Sequence, residues 1–126
     1  MKEIITSWIL LLAMVILFFV NANSVKTLSE DMYESAEMLG KSIENGDMKK
    51  SCKEISEIKE KWKKSCKKLF HIYPHTQLED IEKLILMTEA HIKNKEFNDA
   101  ALRIEEIKYR IHLLTDNEKI TLDNIF

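Results

Sequence analysis

Glycine, proline and cysteine are nearly missing from this chain: its 126 residues include two Gly, one Pro and two Cys. So few turn-forming residues leave a many-stranded β domain without its connections and favour long helices. The two Cys, Cys52 and Cys66, cannot build a disulfide framework. On a single helix they would lie roughly 21 Å apart along the axis, far beyond bridging reach. They read as small core thiols, with an intermolecular bridge as the other reading. No CxxC, HExxH, GxSxG or Gly-rich phosphate loop occurs, so the common routes to metal, nucleophile and nucleotide chemistry have no motif here. A net charge of −2 is wrong for a nucleic-acid binder, and the basic cluster discussed below contains no Arg. The expectation is a protein that is no enzyme and needs no cofactor, with no small-molecule substrate in evidence.

What the chain does have, first, is an uncharged apolar run. Ile4 to Val20 comprises seventeen residues, I-I-T-S-W-I-L-L-L-A-M-V-I-L-F-F-V. That is at the short end of what crosses a hydrocarbon core of roughly 30 Å, and longer than the usual core of a secretory signal. Val20 and Ala22 occupy the −3 and −1 positions of a possible signal-peptidase site, so cleavage after Ala22 is the competing reading. Met-Lys ahead of the run suits an export signal, although the Lys/Arg count alone barely favours an inside N-terminus. The expected organisation is a signal-anchor or transmembrane helix over 1–23 and an extracytoplasmic helical domain over 24–126. The expected location is the cell membrane, single-pass, N-terminus inside and domain outside, or secreted if cut.

Apolar residues recur at helical spacing through the rest of the chain. A first helix from about Val25 to Ile43 places Leu28, Met32, Ala36, Leu39 and Ile43 on one face. Asn45-Gly46-Asp47 interrupts it. A second helix, capped by Asp47 and running to about Ile72, has the stripe Met48, Cys52, Ile55, Lys59, Trp62, Cys66, Leu69, Tyr73, broken only by Lys59. Pro74 stops it. A third helix from Thr76 or Gln77 carries Leu78, Ile81, Ile85, Thr88 and Ile92. The fourth, after Asn94-Lys95-Glu96, carries Phe97, Ala101, Ile104, Ile107, Ile111 and Leu114. The tail either continues that helix or starts a last short one at Asp116 or Asn117.

An internal repeat organises these helices. Ile43–Lys59 aligns without gaps on Ile92–Lys108, matching Asn45 to Asn94, Met48 to Phe97, Ile55 to Ile104 and Ile58 to Ile107. The soluble part is therefore two pseudo-repeated helical hairpins, each with a stripe that it cannot bury alone. An antiparallel four-helix domain buries both, whereas a two-repeat solenoid leaves its ends uncapped. The fold class is all-α.

An apolar N-terminal segment, a Trp-bearing second helix, H-T-Q-L-E-D-I-E (His75 to Glu82) and a closing E-K-I-T-L-D-N-I-F (Glu118 to Phe126) together resemble one bacterial family. It is an uncharacterised domain-of-unknown-function family of short helical proteins, mostly from spore-forming Gram-positive species. The resemblance implies a small helical protein held at the membrane or exported, and encoded near a multi-pass membrane protein. It transfers no residue role.

Two constellations remain. His71 and His75 are spaced for one helical face, but Pro74 between them argues for a surface pair over a metal site, and His91 and His112 read as boundary residues. The charge distribution is sharper. Val25 to Asp47 contains six acids and two lysines, while Met48 to Lys68 contains nine lysines and three glutamates. Lys59, Lys63, Lys64, Lys67 and Lys68, around Trp62, form a candidate face for an anionic partner. The bland alternative pairs these charges with the acidic first helix across a shared seam. The function expected is a non-enzymatic, membrane-tethered interaction module for a membrane or envelope partner protein. The alternative is a peripheral binder of anionic lipid or wall polymer.

Overall fold

The computed structural model describes the backbone of residues 1–71 and 73–125, and their side chains except those of Ala22 and residues 115–125. Four helices follow one another: α1 (Lys2–Glu44), α2 (Met48–Leu69), α3 (His75–Lys93) and α4 (Phe97–Ile125). α2 packs on α1 and α3, α4 packs on α1 and α3, and no helix meets its diagonal partner among the described residues. This is the closed, antiparallel, up-down-up-down bundle.

The repeat is visible atom for atom at the two hairpin turns. In the first, the amides of Asn45, Gly46 and Asp47 donate to the carbonyls of Lys41, Ile43 and Ser42; in the second, those of Asn94, Lys95 and Glu96 donate to Ala90, Ile92 and His91. Both turns need a left-handed residue at the middle position, Gly46 (φ 68°) and Lys95 (φ 60°). Glycine occupies that region freely and lysine does not. Lys95→Gly should therefore stabilise the bundle by about 1 kcal/mol, read as a raised denaturation midpoint. Asp47 also caps α2, its carboxylate accepting from the Lys50 amide at 3.1 Å. Burial repeats in step: Met32, Ala36, Leu39 and Ile43 have counterparts in Ile81, Ile85, Thr88 and Ile92, all buried.

The structure corrects the stripe on α2. Its buried residues are Ser51, Ile55, Ile58, Trp62, Ser65 and Leu69. Cys52, Cys66, Met48 and Tyr73 pack only against the flank of the core, half-buried, and Lys59 faces solvent. The reason is a difference of costs. A stripe through Cys52 and Cys66 drags Lys59 inside, and an unpaired buried ammonium costs several kcal/mol. A serine hydroxyl costs about 1–3 kcal/mol if unpaired and less if bonded. Ser65 returns its hydroxyl to the Lys61 carbonyl at 2.8 Å; Ser51 Oγ finds no partner among the described residues. Ser51 and its counterpart Ala100 are both fully buried, small residues between larger neighbours, which lets facing layers interdigitate. On α4, likewise, Ala100 is the buried residue and Ala101 is half-buried.

Two other boundaries differ from the sequence reading. α3 begins at His75, with Pro74 as its N-cap, and α2 ends at Leu69; Ile72 lies outside the described residues. α4 runs unbroken to Ile125, so the tail continues the helix, although the side chains of Ile120, Leu122 and Ile125 lie outside those described, as does Phe126.

The longest departure is α1. No break separates the apolar run from the first helix of the bundle; 43 residues form one helix straight through Phe18–Ser24. What changes there is burial. Every described side chain from Met1 to Ser24 is exposed, and Val25, 3% exposed, is the first residue of the core. The exposed half is long and apolar enough to cross a membrane.

Candidate functional site

The lysine-rich half of α2 takes its shape from the bundle's two seams. On the α3 side, Lys59 reaches Glu89 at 3.4 Å, and Glu89 is also held by Lys93 at 3.3 Å. On the α1 side, Lys61 lies 3.4 Å from Asp31 and donates to Ser35 at 3.1 Å. Charge pairing across the seams therefore exists and takes up two lysines. Such exposed pairs are worth at most about 1 kcal/mol each. Lys59 leaves the candidate face on this account.

Lys63, Lys64, Lys67 and Lys68 remain. All four are exposed, and no carboxylate pairs with them among the described residues. They come in two adjacent i, i+4 rows on the outer surface of α2. No acid occurs between Glu60 and Glu79, so nothing on their own helix beyond Glu60 offsets them. Lys67 and Lys68 sit in the last turn, where cations complement the exposed carbonyls of a helix C-terminus, typically by 0.3–1 kcal/mol. That accounts for two of the four lysines and leaves Lys63 and Lys64 without a structural reason.

Sequence reasoning missed the residue that completes this end. Phe70, immediately after the last core residue Leu69, is 49% exposed. Its ring stands edge-on to His75 at 4.0 Å between centroids and to His71 at 5.7 Å. The two histidines thus flank an aromatic ring at the α2–α3 corner. Tyr73 ties the same corner to α4, its hydroxyl donating to the Leu114 carbonyl at 3.3 Å.

Other polar groups tie the two hairpins together. His91 Nδ1 lies 2.9 Å from Glu96 Oε2 and bridges the α3–α4 turn, with Asp99 close by. At the matching place in the first hairpin, buried Ser42 donates to the Glu54 carboxylate, whose oxygens lie at 2.9 and 3.0 Å, linking α1 to α2. Cys52 and Cys66 are free thiols on one continuous helix, as their spacing required. Burial, with a smaller push from the Glu82 carboxylate, raises the Cys66 thiol from 9.0 to about 11. It stays protonated and unreactive at neutral pH.

With this geometry in place, comparison with known families gives one result. A family described as Domain of unknown function (DUF4363) matches residues 18–125. The chain belongs to that family. The matched region starts within the apolar run at Phe18 and takes in the whole bundle, including the α4 extension. No curated protein and no solved structure matches the chain.

Proposed function

We propose that this chain is a non-enzymatic, membrane-tethered helical module that supports or regulates a membrane or envelope partner protein, with the apolar helix spanning the bilayer, its N-terminus inside and the bundle outside. The observation that carries this reading is the continuity of α1, whose exposed apolar half and core-forming half are one helix. Water-exposed Leu, Ile and Phe over this length are stable only in lipid or against another protein. A helix that then forms one wall of the bundle fixes the domain to whatever holds the apolar half. Expression with a C-terminal tag in a Gram-positive host, followed by fractionation and intact mass, tests the tether. A full-length mass in the membrane fraction supports it. A soluble, exported mass lacking residues 1–22 would convert the apolar run into a signal peptide.

A second reading is favoured by one specific observation, the four lysines of α2 that no carboxylate pairs with among the described residues: a peripheral contact with anionic lipid or wall polymer. Here the partner is a charged surface instead of a folded protein. The two readings separate by salt. Exposed-charge attraction is screened within roughly 8–10 Å at physiological ionic strength, so lipid or polymer binding falls steeply in high salt. Co-purification of a membrane protein through packed side chains does not.

A further inference from the structure

The lysines of α2 lie at the tethered end of the bundle. Two contacts fix the antiparallel register of α1 and α2: Ser42 with Glu54, and Ser35 with Lys61. The cleft that brings Leu28, Ser29 and Met32 of α1 against Trp62, Ser65 and Leu69 of α2 continues it. Carried on, this register sets Lys67 and Lys68 level with Ser29 and Leu28, and Phe70 level with Lys26, nearer to the apolar run. Leu28 lies eight residues beyond Val20, a rise of about 12 Å along the helix, and Lys63 and Lys64, level with Tyr33 and Met32, stand about 6–8 Å further out. The polar layer of a bilayer extends roughly 5–8 Å beyond the hydrocarbon on each side. Lysine stems several bonds long bring Lys67 and Lys68 toward headgroup depth from this end, Lys63 and Lys64 stay within a screening length of the lipid charge, and the half-exposed phenyl ring of Phe70 stands nearer the bilayer.

On the tether reading, on which this inference rests, the geometry points to Lys63, Lys64, Lys67, Lys68 and Phe70 as a docking surface for anionic phospholipid headgroups of the bilayer in which the chain is anchored. Charge complementarity selects the occupant. The surface carries four cations, unpaired among the described residues, with an apolar residue at its edge, a combination that suits phosphate headgroups over acyl chains. Position selects the source, because anionic lipid in the same leaflet is held at high local concentration by the tether itself. On α1 the exposed charges at these levels are Lys26 against Glu30, Asp31 and Glu34, with Asp31 held by Lys61, so α1 offsets part of the lysine charge. The α4 extension carries Asp116, Glu118 and Asp123 against Lys119, a net −2, so any attraction to anionic lipid comes from α2 against an opposing charge on α4. The docked bundle leans its α2 side toward the headgroups and leaves the far turns, at Gly46 and Lys95, facing away.

The test uses the full-length chain in phosphatidylcholine nanodiscs, with and without roughly one-third phosphatidylglycerol, and amine-reactive labelling read residue by residue by mass spectrometry. The expected result is insertion into both discs, with labelling of Lys63, Lys64, Lys67 and Lys68 slowed roughly fivefold or more by the anionic lipid. Lys49, Lys50 and Lys93 at the opposite end should label equally in both, and high salt should abolish the difference. Amide exchange over residues 61–71 should slow in anionic discs. It should not do so in the variant with the four lysines replaced by Gln and Phe70→Ser, which changes only exposed side chains. Insertion into both discs with equal labelling of the four lysines would overturn the docking surface and leave the tether standing. Failure to insert into phosphatidylcholine discs would remove the tether and the inference with it. Protection that appears only when soluble poly(glycerol phosphate) is added would overturn the lipid assignment in favour of wall polymer.

Discussion

Replacing Trp62 with Ala should lower the unfolding free energy by about 3–5 kcal/mol, a large part of the stability of a domain this size. Trp62 is 4% exposed and faces the cleft where α1, α2 and α4 converge, among Met32, Leu69, Ile111 and Leu114. Truncation removes the largest side chain of that layer, and these neighbours belong to three helices that cannot all move in to fill the space. A companion variant separates area from polarity. The indole Nε1 has no hydrogen-bond partner among the described residues, and an unpaired buried donor costs about 1–3 kcal/mol. Trp62→Phe loses some apolar contact but also removes that donor, so it should cost well under half as much as Trp62→Ala. Denaturant titration of the three proteins in detergent gives both numbers. Parent-like unfolding of Trp62→Ala would mean that the α2 register is wrong.

The second large effect is chemical. Cys66 should react with iodoacetamide at pH 8 about a hundredfold more slowly than a thiol at the ordinary value of 9.0, because the thiolate is the nucleophile and the group titrates near 11. Its rate should keep rising up to about pH 11, where a free thiol has already levelled off. The sign for stability follows from the same shift. An unfolded Cys ionises near pH 9.0 and the folded one near 11, so below pH 9 the group contributes nothing. Between those values the unfolded chain holds fewer protons than the folded one, and stability falls as pH rises. Glu82→Gln should bring the Cys66 rate part of the way back, since the carboxylate is the smaller of the two causes. Labelling at the rate of a free thiol would show that the packed flank of α2 opens freely.

Much of this fold was legible in the chain because its signals are local. The stripes of α1 and α3, the two turns and the repeat relating them rest on spacing, and spacing survives without tertiary information. The α2 stripe was misread because Cys scores as apolar and Ser as polar. Position 58 or 59 decides the register, and only the cost of burying Lys59 against that of burying two serines resolves it. The fused α1 was missed because Asn21, Asn23 and Ser24 look like an exit from a helix, although none is a residue that breaks one. The lysine cluster was visible as composition. That Lys59 and Lys61 are spent on the seams while four neighbours are not depends on which carboxylates the partner helices bring within reach. Phe70 carries no pattern of its own, and its exposure is set by Leu69 being the last inward residue before the corner.

The unbroken α1 has a consequence for phase. A helix advances about 100° per residue, so when nothing interrupts it the direction in which one half faces dictates the direction of the other. On the tether reading the bundle is not a bead on a flexible string. It is a cam keyed to a shaft, and the azimuth of its lysine face is set by how the apolar half sits among lipids or neighbouring helices. One residue added between Val20 and Val25 would turn the bundle by about 100° and swing α2 to a different side of the tether, whereas eleven would return it almost to phase, about 16 Å further out. Any partner that rotates or tilts the span moves the domain outside by the same angle.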